Sequence, residues 1–489
     1  MKRPFYITTT LPYVNAEPHI GFALEIVQAD IIARYHKSLG EGVVFNTGTD
    51  EHGLKIYRNA QEEGKDVQKY ADENAAKFNE LKEALNVDFT NFIRTTDPHH
   101  VSAAQEFWKR CDGNGDIYKK NYKIKYCVGC ELEKTESELR DDLCPIHPNL
   151  KLELIDEENY FFRFSKYQKP LLELYEKYPD FVMPPHRLTE IRNFVAAGLQ
   201  DFSISRLTSK MPWGVPVPGD DAQVMYVWFD ALVNYVSTLG WPENNENFED
   251  FWGTRESPGA LQIAGKDNLR QQSAMWQAML LSAGLPTSRQ IIIHGFITSG
   301  GEKMSKSLGN VVNPFEIVEK YGTDALRFWL AHDVSPFEDG DFTWDKFKES
   351  YNANLANGIG NFAARILTLG ESLGDFGAVQ IDKEIDRDIK MAREAIGNKM
   401  KEFKFNEAMN VLWTLIGYGD IRVNLDKPWA MKDKDKKKES IFNLIVILDN
   451  VAAMLRPFLP ETAEKITECI HWDGTLKVKR GPVLFPRIS

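Results

Sequence analysis

Lys303 and Lys306 stand three residues apart in Lys303-Met304-Ser305-Lys306-Ser307, framed by Gly300-Gly301 and Leu308-Gly309-Asn310. Two ammonium groups on a glycine-flanked loop can close over a polyphosphate and neutralise charge that develops on a leaving group. Lysine suits that work because it is a flexible point charge. Far upstream, Pro18-His19-Ile20-Gly21-Phe22 falls at the first strand-to-helix turn. His19 there occupies a helix N-terminus, where backbone amides and the helix dipole favour anions. Gly21 would let a nucleotide approach the backbone closely. Taken singly, each segment reads as an ordinary lysine loop or a structural turn; it is their pairing that suggests nucleotide chemistry.

A second set of residues speaks for a metal. Cys127-x2-Cys130-x13-Cys144-x2-His147 offers two chelating turns joined by a short loop. Four N/S ligands of this kind close a tetrahedral zinc site with no open coordination position, so the expectation is one structural zinc. Cys111 and Cys469, the two remaining cysteines of five, read as ordinary buried thiols. An odd, clustered set of cysteines without a signal-like N-terminus points to a reducing, cytoplasmic setting rather than a disulfide framework. No apolar run approaches the ~20 residues of a bilayer span, so no membrane partner is expected.

The elements that must position these groups follow from periodicity. Phe5 to Thr10 reads as a buried strand, a helix starts near His19 and stops at Gly40, and Val43 to Thr47 is the next strand. Strand, helix and strand at this spacing form a βαβ unit with parallel strands and a right-handed crossover. Ligands of such sheets bind beyond the carboxyl ends of the strands, where the loops Leu11 to Gly21 and Gly48 to Gly53 lie. Alternation breaks at about 115 and resumes at about 223. Met225 to Phe229 and Leu261 to Ala264 are then expected as strands, Asp267 to Ala283 as a helix and Gln290 to Ile293 as a strand. From about 346 onward the pattern is helical, with Ile441 to Leu455 apolar round much of its circumference and so central to a bundle. The lysine-rich stretch Lys432 to Lys438 reads as a solvated loop or helix face.

The predicted fold is thus α/β, a doubly wound parallel-sheet (Rossmann-like) catalytic domain split by a zinc-knuckle insertion and followed by an α-helical bundle. Expected boundaries are 1–114 and 223–345 for the catalytic halves, 115–222 for the insertion and 346–489 for the bundle. A chain of 489 residues, 43% hydrophobic and 27% charged, is long enough for several cores. Its net charge of 59 − 71 = −12 excludes a general nucleic-acid coat but leaves room for a local basic footprint.

The paired His19/Gly21 turn and Lys303/Lys306 loop resemble the two ATP motifs of class I aminoacyl-tRNA synthetases. The resemblance narrows to the methionyl-tRNA synthetase family and covers essentially the whole chain. It is carried by Leu11 to Asn15, Gly48 to Gly53, Val227-Trp228-Phe229-Asp230-Ala231-Leu232, Gly265-Lys266-Asp267 and Ile293-His294-Gly295. It implies a ligase that activates L-methionine with ATP and magnesium to methionyl-adenylate, then charges tRNA(Met), the initiator included. By position it implies His19, Lys303 and Lys306 as catalytic, and His19, Gly21, Gly265, Asp267, Lys303, Ser305 and Lys306 as ATP-binding. Asp50 would hold the α-ammonium, with Leu11, Tyr13, Trp228, Ala231, Tyr235 and His294 walling the methionine pocket. Aromatic edges favour sulfur contacts by ~0.3–1.5 kcal/mol, which agrees with that assignment.

Asn361 and Arg365 lie at i, i+4 on one helix face, and Trp429 follows Pro428. Residues of these types can stack splayed bases and read their edges, and their positions match the family's anticodon readers. One departure stands out: the family's first motif normally ends in a second histidine, and Phe22 occupies that place. A phenyl ring offers phosphate no donor, so that histidine's role does not carry over. Two other readings stay open, a non-catalytic RNA-binding paralogue and a class I synthetase for another apolar amino acid. The segment 115–222 is too small for the editing insertion of the valine, isoleucine and leucine enzymes. A monomer without an appended domain is expected.

Overall fold

Aromatic and β-branched residues open the chain, and Phe5 to Thr8 are buried in the first strand, β1 (Pro4–Thr8). It pairs in parallel with β2 (Gly42–Thr49), and β2 in turn with β3 (Asn91–Arg94). On its other side β1 pairs in parallel with Ala260–Gly265. The full order is β3, β2, β1, Ala260–Gly265, Gln290–His294 and Val182–Met183. Strand order therefore reverses between β1 and Ala260–Gly265, the topological switch point at which open parallel sheets bind ligands. This computed structural model describes residues 2–15, 17–129, 132–134, 138–304, 309–374, 376–377, 379–473 and 475–488.

The chain divides into two compact units. One comprises Met1–Pro18, Gly40–Glu80 and Phe89–Ile293; the other His19–Leu39, Leu81–Asp88 and His294–Ser489. The first unit holds the parallel sheet and an aromatic core in which Phe107 stacks on Trp276 at 5.5 Å and Trp276 meets Tyr235 edge-on at 5.7 Å. Between 115 and 222 the chain forms a separate antiparallel sheet built on the long pair Ile117–Cys127 and Glu153–Phe162, yet Val182–Met183 from the same stretch adds an edge strand to the parallel sheet.

One expected strand is corrected. Met225 to Phe229 is not in the parallel sheet: an antiparallel strand ends at Met225, and Val227–Ala231 is a short helix. A short apolar run does not distinguish a buried strand from a buried helix turn. The segment from Lys266 to Ser282 is helical as expected, with a π-helical stretch at Gln271–Met275.

The second unit begins with α1 (Ile20–Ser38), capped by His19. Its helices include Asn361–Leu373, Lys383–Lys401, Phe405–Asp426 and Lys434–Leu455. The last is buried continuously from Ser440 to Leu448, as the apolar circumference requires, while Lys432 to Lys436 are exposed at its start. Arg327 ties the segments of this unit together. Fully buried, it meets Asp30 of α1 at 2.7 Å and donates to the carbonyls of Leu85, Pro457 and Phe458. Among the described residues, no helix is long and apolar enough to cross a membrane.

Candidate active site

At the carboxyl end of β2 the chain runs straight into Asp50. The Asp50 N–H donates to the Pro12 carbonyl at 2.9 Å, and the Asp50 carbonyl accepts from Val14 at 3.2 Å. Two loops beyond adjacent strands are thereby locked into one short ladder, with Tyr13 bridged to Asp50. On the other side of β2, Gly48 lets β3 come close, because a Cβ there would lie 1.8 Å from the Ile93 carbonyl oxygen. Glu51, the next residue, is fully buried and held by Arg94 through two N–H···O bonds of 2.6 and 2.8 Å and by the hydroxyls of Thr49 and Thr96. Bidentate, charge-assisted bonding of this kind is among the strongest a side chain makes, so Asp50 stands on a rigid support.

Asp50 opens onto a pocket of about 80 Å³, lined also by Leu11, Tyr13, Trp228, Ala231 and Tyr235. Six residues that sequence placed in one set are thus brought together. The Trp228 indole donates to the Tyr13 hydroxyl at 3.0 Å, fixing both rings. His294, the seventh, is not among the lining residues; it belongs to the other unit, where its ring nitrogens face Glu25 Oε2 at 2.9 Å and the Gly295 carbonyl at 2.7 Å. Thr10, Asn268, Gln271 and Gln272 line the pocket without having been singled out.

Gln272 matters through its polarity. The Ser288 backbone N–H donates to Gln277 Oε1, so Gln277 Nε2 faces the Ser288 hydroxyl at 3.1 Å and donates to it. Ser288 in turn donates to Gln262, whose Nε2 donates to Gln272 Oε1 at 3.3 Å. Gln272 Nε2 then donates to the Tyr235 hydroxyl oxygen at 2.6 Å. The phenol therefore accepts from behind, and its own proton is directed away from Gln272. Scattered glutamines carry no sequence signal for such a relay.

Gly265 ends the central strand and caps the 3₁₀ turn Lys266–Asn268, with Asp267 exposed on it. This is the carboxyl end of a strand beside the order reversal, the position where ligand contacts are expected.

In the second unit, His19 Nδ1 accepts the Gly21 N–H at 3.1 Å and so caps α1. The hydrogen of the neutral ring then sits on Nε2, and desolvation, which holds the imidazole below its usual pKa, favours that neutral form. A Cβ on Gly21 would lie 2.9 Å from the His19 ring, so the glycine makes room for the cap itself. Phe22 is half-buried in the first turn. Lys303 is exposed on a two-residue strand paired with Ile297–Ser299, and Asp341 holds the intervening turn through the Gly301 N–H at 2.6 Å and the Thr298 hydroxyl at 2.8 Å. Ser305 and Lys306 lie outside the described residues.

The cysteine set can be tested for fit to a metal. Ligand atoms of Cys127, Cys144 and His147 lie within 4.8 Å of one another, and both thiols are fully buried. Cys127 Sγ is 3.7 Å from His147 Nδ1. Ordinary zinc–sulfur and zinc–nitrogen lengths at a tetrahedral angle give an edge of about 3.6 Å, so the donors fit. Gly129 permits it, since a Cβ there would meet the His147 ring at 2.6 Å. Cys130 lies outside the described residues. Cys111 and Cys469 are buried thiols elsewhere; burial pushes the Cys111 thiol up to about 12.

On the bundle, Arg365 and Trp429 line a common surface pocket of about 360 Å³ with Ala364, Thr368 and Leu369. Arg365 is aimed by Asp420 at 3.0 Å and Asn424 at 2.9 Å, and Trp429 is 53% exposed. Asn361 is exposed one turn before Arg365 and is not among the lining residues.

Comparison with known proteins agrees with this geometry. A family described as "tRNA synthetases class I (M)" matches residues 5–149 and 133–367. One described as "Anticodon-binding domain of tRNA ligase" matches residues 382–483. The methionine–tRNA ligase of Nostoc sp. is 41% identical over 476 residues, 95% of this chain and 89% of its own. That of Thermotoga maritima is 39% identical, over 96% of this chain and 75% of its own. The solved structure of Mycobacterium tuberculosis methionyl-tRNA synthetase in complex with methionyl-adenylate matches with a TM-score of 0.92 at 33% identity, covering 100% of both chains.

Proposed function

Because the chain belongs to the class I methionyl-tRNA synthetase family and is a methionine–tRNA ligase, we propose that the Asp50 pocket takes the amino acid. The observation that carries this is a buried carboxylate set beside a narrow, aromatic-walled pocket at the strand-order reversal. Asp50 balances the α-ammonium. Tyr13 and Trp228, fixed to each other, give a sulfur-containing side chain aromatic contacts. Tyr235 offers its O–H to the thioether, a weak acceptor.

The amino-acid carboxylate attacks the α-phosphorus of ATP in line, pyrophosphate departs with magnesium, and methionyl-adenylate forms. A ribose hydroxyl of the terminal adenosine of tRNA(Met) then takes the acyl group. His19 Nε2–H, the N-terminus of α1, Lys303 and Lys306 neutralise phosphate charge, with Ser305 as a further donor, while Gly265 and Asp267 contact the ribose. Phe22 leaves the first motif one donor short, so the remaining groups carry that charge. No general base is needed: positioning and charge stabilisation supply the rate. The test is charging of tRNA(Met) transcripts, initiator and elongator, with labelled methionine by the purified chain.

Cys127, Cys130, Cys144 and His147 would hold one zinc ion, which would cross-link the two turns that carry them. Elemental analysis is expected to give one zinc per chain, and Cys144→Ala to lose it while the KM for methionine changes little. None, or two, would contradict the assignment.

Asn361, Arg365 and Trp429 read the anticodon. Trp429→Ala should weaken aminoacylation by the ~1–3 kcal/mol of a lost base stack, with pyrophosphate exchange near normal. Equal loss in both assays would make Trp429 a folding residue instead.

A further inference from the structure

Behind the pocket lies a buried carboxylate that touches none of the reacting groups. Asp230 is fully buried between Phe229 and Ala231 on the Val227–Ala231 helix. His52 Nδ1 stands 2.6 Å from its Oδ2, and His100 Nε2 stands 2.8 Å from its Oδ1. Burial alone would raise the Asp230 pKa, but the two imidazoles hold it below the usual value, so the group is ionised. An ionised carboxylate only accepts; both facing ring nitrogens therefore carry hydrogens. The other nitrogen of His100 meets Ser237 Oγ at 2.9 Å.

These four residues join the walls of the pocket. His52 is two residues from Asp50 on the same loop, and its ring packs edge-on against Trp213 at 5.4 Å, whose indole donates to the Glu51 carbonyl. Asp230 sits on the same short helix as Trp228 and Ala231, and Ser237 lies two residues from Tyr235. Buried polar and charged groups often add no more stability than well-packed hydrophobic replacements, so holding the fold together does not by itself call for this network. What the charged arrangement adds is a fixed distance between elements.

We propose that the His52–Asp230–His100–Ser237 network is a positioning device that sets Asp50 against the Trp228 and Tyr235 walls, and so determines the affinity for the amino acid. The inference rests on the assignment of this pocket to methionine. A displacement of 1 Å at a site can cost on the order of 100-fold, and the network spans the groups that would shift.

The test is methionine-dependent exchange of pyrophosphate into ATP by the full chain, with KM determined for methionine and for ATP. His52→Leu and His100→Leu should each raise the methionine KM about tenfold or more, within the ~100-fold bound, leaving the ATP KM within about twofold. His52→Asn, which returns a donor near the Nδ1 position, and His100→Gln, which returns one near Nε2, should recover most of the loss. Unchanged methionine KM in both Leu variants, or no recovery in the conservative ones, would overturn the proposal. So would parallel losses for both substrates accompanied by a lowered Tm. Asp50→Asn in the same series separates the two readings: if it too leaves the methionine KM unchanged, the pocket assignment itself has failed.

Discussion

Asp50→Asn should leave the protein folded and depress kcat/KM for methionine in pyrophosphate exchange by roughly 30- to 4000-fold. That range is the ~2–5 kcal/mol typical of losing one partner of a buried, hydrogen-bonded charge pair. The size follows from position: Asp50 is nearly fully buried, and its backbone is locked to Pro12 and Val14, so the loop has little freedom to bring another acceptor to the ammonium. The neutral amide keeps the shape but not the charge. The KM for ATP should move little. A similar loss in both substrates would contradict the role given to Asp50 and point to collapse of the loop.

His19→Ala should lower kcat for methionine activation by about 100- to 1000-fold, the ~2.7–4 kcal/mol of one transition-state donor removed. His19 also caps α1, and loss of a cap costs ~0.5–2 kcal/mol of stability, so alanine alone confounds two effects. Asparagine separates them. It is a good N-cap residue but has nothing in place of the Nε2–H, so His19→Asn should restore the Tm and remain poorly active. Activity restored by asparagine would reduce His19 to a structural cap. Since Phe22 supplies no donor, Phe22→His is expected to be neutral or modestly activating, never as costly as the loss of His19.

What the sequence disclosed, and what it hid, divides by the range of the interaction. The first strand, the start of α1 at His19 and the buried helix ending at Leu455 follow from local periodicity and capping. The six pocket residues came together because whole blocks resemble those of a known family; without it, Tyr13 and Trp228 would pass as core aromatics. Met225 to Phe229 misled because a five-residue apolar run fits a strand or a helix turn equally well. Val182–Met183 is too short a strand to announce itself, and it joins the sheet beside residues more than a hundred positions away. The same holds for Asp230 with His52 and His100, and for the glutamines behind Tyr235. Their partners are distant in sequence, so their chemistry exists only after folding. Arginine is by type a mostly exposed residue, and the burial of Arg327 makes sense only with Asp30 and four backbone carbonyls around it.

Exchange of labelled pyrophosphate into ATP by the unaltered protein, with methionine, isoleucine, valine and leucine supplied in turn, asks whether this chain selects methionine and activates it at the phosphate of ATP. Exchange is expected with methionine, and at most a small fraction of that rate with the branched side chains, which lack the thioether. Exchange driven better by a branched amino acid, or none with methionine in a folded, zinc-loaded protein, would rule out methionine as the amino acid this chain activates.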